Sequence, residues 1–288
     1  MSLPSVSTLV SPQTSSFEVV GKGRIASLFL RQEGCISVSR DEAPGQQTKM
    51  GSPMVVATPS QAWPEIHAAC DPARRGDLVW MGNGLPELEL GGSDCTWVVP
   101  HFGVLVMDGP IVSAPTSPPT FVCGKHANFV ERLLRHEGLA NVEGVDNVTT
   151  LRLYAVRKLL WASCMWLLCH SHEPPLTVSE VHQNEASAAT LQTLVAELLP
   201  AAEALTKQTM DLAAVLVYLE QYSLSMPGAI PSLTLAMAEL ADRNGVFYLA
   251  CQQPCHERLL WKHIAADKYQ SATKADTNVI LQRLSKSN

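Results

Sequence analysis

Five short apolar runs divide the first hundred residues of this chain: FEVV (17–20), CISVS (35–39), PMVVAT (53–58), LVWM (78–81) and CTWVV (95–99). Each is too short for a stable helix and rich in β-branched residues. The apolar character is nearly continuous rather than alternating, as expected of strands buried on both faces of a parallel sheet. A parallel sheet needs crossovers. RIASLFLRQ (24–32), closed by Gly34, and a stretch from Trp63 to Cys70 read as short helices that supply them. The polar segment RDEAPGQQTKMGS (40–52) is short for a crossover, so a reduced parallel sheet is expected. VLVM (104–107) and PTFVCG (119–124) add two further predicted strands.

After Gly124 the texture turns helical: NFVERLLRHEG (128–138), TTLRLYAVRKLLWASCMWLLCH (149–170) and an Ala/Leu-rich reach over 178–222. Thr177 and Glu180 have capping-box spacing, and Pro200 is expected to kink or divide the reach that follows. LTLAMAELADRNG (233–245) reads as one more helix, stopped by Asn244-Gly245. The predicted organisation is a disordered lead-in (1–16), an α/β domain (17–124), an all-α domain (125–261) and a polar tail (262–288).

Bulk properties narrow the function classes. A net charge of −6 over 288 residues does not suit sequence-independent binding of nucleic acid, which needs clustered Lys and Arg. No apolar run reaches the roughly 18 residues of a membrane span. Eight cysteines without a secretory signal suit reduced thiols, so a cytoplasmic setting is expected, with an organellar address left open by the Ser/Thr/Pro-rich start. Cys169-His170 with His172, and Cys251 with Cys255-His256, depart from zinc-knuckle spacing, so no metal is expected. There is no GxSxG nucleophile motif.

Several stretches bear on chemistry. In FEVVGKGRIASLF (17–29), Gly21, Gly23 and Ala26 stand where a dinucleotide turn needs a tight bend, a close backbone approach and a small residue for helix packing. Gly21, Lys22, Gly23, Arg24, Ile25 and Ala26 would then surround pyrophosphate. A plain strand-to-helix turn fits the same residues. Arg40, after the second strand, favours the 2′-phosphate of NADP, while Asp41-Glu42 beside it keeps NAD open. Asn83, in MGNG (81–84), would lie at the carboxyl edge of the sheet or simply in an Asn-Gly turn. Lys158, in RKLLW (157–161), adjoins a strongly apolar stretch, and partial burial there would lower its pKa into the range of a proton donor. A snorkelling surface lysine fits the same pattern. Glu239, in AELADRNG (238–245), stands on a helix otherwise apolar on that side, and a solvent-facing Glu fits the same pattern.

Taken in order, GKGRIA (21–26), MGNG (81–84), RKLLW (157–161) and AELADRNG (238–245) resemble the ketopantoate reductase family, in particular its divergent reductase-like branch in plants and algae. The resemblance spans roughly residues 17 to 250. It implies an N-terminal Rossmann-like domain, a helical substrate domain and an active site in the cleft between them. It further implies NADP-dependent hydride transfer to the carbonyl of a small 2-oxo acid or related compound, in a monomer or homodimer. Lys158 would be the general acid and Glu239 its catalytic companion. Asn83 would contact nicotinamide or substrate, and Ser225 or Ser232 the substrate carboxylate. The family's Lys helix carries Asn four and eight places after the Lys, where this chain has Ala162 and Trp166. It also has no counterpart, in ATPSQAW (57–63), of the family's basic residue after the third strand. These departures point away from ketopantoate itself. They also suit a second reading, a non-catalytic descendant serving as a nucleotide sensor or interaction module.

Overall fold

A computed structural model describes residues 16–39, 42–85, 90, 94–240, 242–251 and 253–265. The Val-rich runs are strands: β1 (Phe17–Val20), then helix α1 (Arg24–Leu30), β2 (Cys35–Val38), β3 (Met54–Val56), helix α2 (Trp63–Ala69), β4 (Leu78–Met81) and β5 (Thr96–Val99). All five are parallel, in the order β2-β1-β3-β4-β5, with Glu18 paired to Met54, Val56 to Trp80 and Met81 to Val98. Successive side chains go to opposite cores. Met54, Trp80 and Trp97 pack on one face, while Val55, Val79 and Val98 pack on the other. Trp63 of α2 meets Trp80 at 5.4 Å and Trp97 at 5.9 Å between ring centroids, closing the first face.

VLVM does not form a strand throughout. Only Val104 pairs, in a two-stranded hairpin of β6 (Gly103–Val104) and β7 (Ile111–Val112), and Leu105, Val106 and Met107 are exposed at its tip. The chain re-enters the main sheet as β8 (Thr120–Cys123), antiparallel to β5. Helix α3 (Ala127–His136) then leads to β9 (Val142–Gly144), parallel to β8. The sheet thus has seven strands and continues past Gly124 to Gly144, beyond the point where the sequence texture changes. VEG is too short and too polar to register as a strand; β8 and α3 hold it in place.

The reduction expected of the sheet falls on the β2–β3 connection, which forms no helix among its described residues. A buried polar cluster fixes it instead. Glu18 on β1 accepts hydrogen bonds from the Gly45 and Gln47 amides and from the Thr48 hydroxyl, at 2.6, 3.1 and 2.7 Å. The Arg74 guanidinium donates to the carbonyls of Gly45, Thr48 and Ser52 and to Asp77. Asp77 in turn accepts from the Gly51 amide at 2.8 Å. Three charged residues so nearly sealed from water are tolerable because the loop backbone satisfies them.

The second half is helical: α4 (Val148–Cys169), α5 (Val178–Gln183), α6 (Glu185–Thr206), α7 (Leu212–Leu224), α8 (Leu233–Ala238), α9 (Asn244–Cys251) and α10 (Pro254–Ala265). Thr177 and Glu180 form the reciprocal capping box ahead of α5. Pro200 lies inside the continuous α6 and does not divide it. Residues 233–245 are not one helix. The chain turns after Ala238, and Asn244 opens α9 instead of stopping its predecessor. The reason is tertiary. The fully buried Asn244 amide donates to the Ser163 carbonyl and accepts from the Trp166 indole at 2.6 Å, tying the start of α9 to α4. Helix α10 also runs past residue 261, because Lys262 and His263 reach the Ser171 and Leu167 carbonyls at the end of α4.

Candidate active site

The carboxyl ends of β1, β3, β4 and β5 open into one cleft of about 490 Å³, covered from the other side by α4, the end of α7 and the α8–α9 turn. Ligands of open parallel sheets bind at this edge. Each strand contributes through a local device. After β1, Gly21 has φ +130°, and a Cβ there would sit 2.5 Å from the Ala57 carbonyl oxygen. Only glycine permits that approach. Gly23 has no side chain capping the first turn of α1, and a Cβ on it would meet nothing within 4 Å, so the space above this backbone is open. Ala26 is fully buried and lets α1 settle on the sheet. These features fit a dinucleotide turn. Gly23, Arg24 and Ile25 line the cleft and Lys22 is exposed, while the Arg24 guanidinium donates to the Leu105 carbonyl at 2.9 Å. Arg40 lies outside the described residues.

After β4, Gly82 and Gly84 pack so tightly that added Cβ atoms would meet Trp63 at 2.9 Å and the Ser60 side chain at 2.7 Å. The two glycines bring Asn83 down onto the floor of the cleft. There its side-chain oxygen accepts a hydrogen bond from Lys158 Nζ at 2.8 Å. Lys158 comes from the middle of α4, is 8% exposed, and also donates to the Pro100 carbonyl at the end of β5. Burial first, and then the Arg243 charge, lower its pKa to about 7 against the opposing pull of Glu239. An ammonium has three N–H donors, and these two acceptors leave one for whatever enters the cleft.

Glu239 also lines the cleft and pairs with Arg243, four residues on across the α8–α9 turn. Ser232 lines the cleft as the N-cap of α8, its hydroxyl accepting from the Leu235 amide. Ser225 is elsewhere in its bonding. It is buried at the end of α7, donates to the Tyr222 carbonyl and is not among the cleft-lining residues. Ala162 lines the cleft, whereas Trp166 is fully buried against Asn244. The structure thus brings Asn83, Lys158, Glu239 and Ser232 together with Gly23–Ile25, and leaves Ser225 out.

Sequence reasoning missed Arg243 and His101. Arg243 follows Glu239 at i+4, the spacing at which oppositely charged side chains meet, and that spacing was its only signal. His101 directly follows the end of β5, the same edge that supplies Pro100. It is 1% exposed, bonds the Tyr218 hydroxyl, and is held well below the usual imidazole range by burial and then by the Lys158 charge. The imidazole behind Lys158 is therefore neutral. Among the described residues, no group of three or more His, Cys, Asp or Glu side chains is arranged to hold a metal ion, and no helix is long and apolar enough to cross a membrane.

Neither a protein-family model nor a curated relative matches the sequence. The fold does match solved structures. D-mandelate dehydrogenase, in a ternary structure with NADH and anilino(oxo)acetate, superposes with a TM-score of 0.61 at 12% identity, over 92% of this chain and 99% of that one. A ketopantoate reductase from Ralstonia eutropha gives 0.58 at 14% identity, over 92% and 99%. A ketopantoate reductase from Staphylococcus aureus, described as dimeric, gives 0.56 at 12% identity, over 88% and 100%. At these identities the likeness establishes the fold: a mainly parallel sheet followed by a helical region, as in ketopantoate reductases.

Proposed function

We propose that this chain is a nicotinamide-dependent reductase of small 2-oxo acids or related carbonyl compounds, with NADP preferred. The observation that carries the reading is Lys158: a buried ammonium with one free donor, in the same cleft as a glycine turn shaped for a dinucleotide. When bound, the reduced nicotinamide supplies a hydride for the carbonyl carbon. Lys158 donates its free proton to the carbonyl oxygen as negative charge develops there, and is left as a neutral amine. A donor whose pKa lies near 7 suits this work, because it is substantially protonated at neutral pH and gives the proton up readily. Asn83 and the Pro100 carbonyl hold Nζ in position, so little motion is needed at the moment of transfer. Glu239 supports the protonated form electrostatically. Arg40 supplies the preference for NADP, and Gly21 to Ala26 form the pyrophosphate seat.

Titration of the purified protein with NADPH and NADH, followed by nicotinamide fluorescence, tests the cofactor half. NADPH is expected to bind more tightly, Arg40→Ala to remove that advantage, and Gly21→Ala to weaken both dinucleotides. Turnover across a panel of 2-oxo acids then tests the chemistry, with Lys158→Ala expected to lower kcat by about 100-fold or more. Failure of both dinucleotides to bind at millimolar concentration would remove the reductase reading.

A further inference from the structure

The charged groups in the cleft are unevenly placed. Among the described lining residues the cations are Arg24, Lys158 and Arg243, and the sole carboxylate is Glu239. Arg24 stands at the glycine turn and is exposed. With Asp242 bonded to the cleft-lining Ser60, the helical side sets two cations, Lys158 and Arg243, against two acids, Glu239 and Asp242, whenever Lys158 is protonated. Arg243 is 14% exposed and its pairing with Glu239 runs through one terminal nitrogen, while its Nε has no hydrogen-bond partner. A guanidinium carries five donors in a fork matched to carboxylate, so this one is under-used. Two of the other polar groups lining the cleft are engaged, whereas Thr58 Oγ1 has no hydrogen-bond partner. Ser60 donates to Asp242 at 2.9 Å, Ser232 caps α8, and Ala162 has no polar atom in its side chain. The helical wall of the same cleft is largely apolar or aromatic, with Trp161, Ala162, Tyr222, Met226 and Leu235.

We propose that Arg243 is the residue that reads the substrate carboxylate, and that the wall beside it selects a 2-oxo acid with an apolar or aromatic substituent. The proposal rests on the reductase reading and adds its specificity determinant. The incoming carboxylate takes up guanidinium donors that Glu239 leaves free. The substituent packs where an amide side chain would have called for a hydroxyl.

Binding of phenylglyoxylate and of its neutral amide, followed by tryptophan fluorescence with and without NADPH, tests this directly. The acid is expected to bind at least about 10-fold more tightly than the amide. Arg243→Gln is expected to weaken the acid by about 10- to 100-fold and to leave the amide unchanged, the loss appropriate to a charge-assisted contact. Glu239→Gln is expected to strengthen acid binding several-fold in the unaltered background and not in the Arg243→Gln background, a coupling that simple removal of a negative charge would not produce. Equal binding of acid and amide by the unaltered protein overturns the proposal. So does an Arg243→Gln protein that binds the acid normally, or that loses acid and amide alike. Should Arg243→Gln fail to fold, Arg243→Lys decides, because it keeps the charge and loses the fork: weakened acid binding with amide binding retained supports the proposal, and unchanged acid binding overturns it. Failure of NADPH to bind removes the reductase reading alone, since the titration without dinucleotide still decides the role of Arg243.

Discussion

Lys158 sets two opposed demands on the molecule. In the proposed role of proton donor it works in the ammonium form, so kcat is expected to fall as pH rises through about 7, the value to which burial and the Arg243 charge together lower it. Its neighbours move that limb in predictable directions. Glu239 raises the pKa, so Glu239→Gln shifts the limb to lower pH; Arg243 lowers it, so Arg243→Gln shifts the limb to higher pH. A pH–kcat profile in which neither variant moves the limb would show that some other group controls protonation. The same burial weakens the fold. With the folded pKa below the ordinary 10.5, the unfolded chain binds the proton more tightly. The penalty is full below about pH 7 and vanishes as pH rises to the ordinary value. Replacing the group with an apolar one of similar length, Lys158→Met, is therefore expected to stabilise the protein at pH 7 by a few kcal/mol while abolishing turnover. Unchanged or lowered stability in urea titration would contradict this. A cation placed directly before a long apolar run made Lys158 visible in the sequence. Arg243, in a stretch of mixed charge, offered no such contrast.

Among the elements, the least regular connection is held the most specifically. The β2–β3 loop is fixed by Arg74, which joins Glu18 and Asp77 to the backbone of residues 45 to 52. Truncation of Arg74 leaves two nearly sealed carboxylates without their shared cation. Arg74→Ala is accordingly expected to cost about 3–5 kcal/mol of unfolding free energy, measured by urea denaturation. A loss below about 1 kcal/mol would mean that water enters the cluster readily. Nothing in RDEAPGQQTKMGS announced this arrangement, because its partners are a strand residue before it and a loop residue after it. The α8–α9 turn was hidden for a similar reason: Asn244-Gly245 is a common helix stop, and only its contacts with Ser163 and Trp166 make it a start. The strands β1 to β5 and the capping box at Thr177 were legible, since their signals are local.

In the whole molecule, the cleft is also the junction of the two halves. Lys158 bonds to Asn83 and Pro100, His101 to Tyr218 and Ser60 to Asp242, and the Phe121 and Tyr154 rings stack at 3.5 Å. Contacts this numerous across the boundary couple the sheet to the helices, and a single cooperative transition is expected. Urea unfolding monitored by amide hydrogen exchange should give coincident curves for β1–β5 and for α4–α7. Two separated curves would show that the halves fold independently and that the cleft is a hinge rather than a fused seam.

Local pattern was sufficient for the parallel strands, the change to helices, the glycine turn and the residue types of the site, because burial on two faces and helical capping are written in neighbouring residues. The seventh strand, the buried charge cluster, the start of α9 and the placement of Ser232 rather than Ser225 on the cleft were decided only when distant segments met. So was the lowered pKa of Lys158. A side chain's burial, its hydrogen-bond partners and the charges around it depend on residues far away in the chain, and these are the quantities that set the pKa of a lysine.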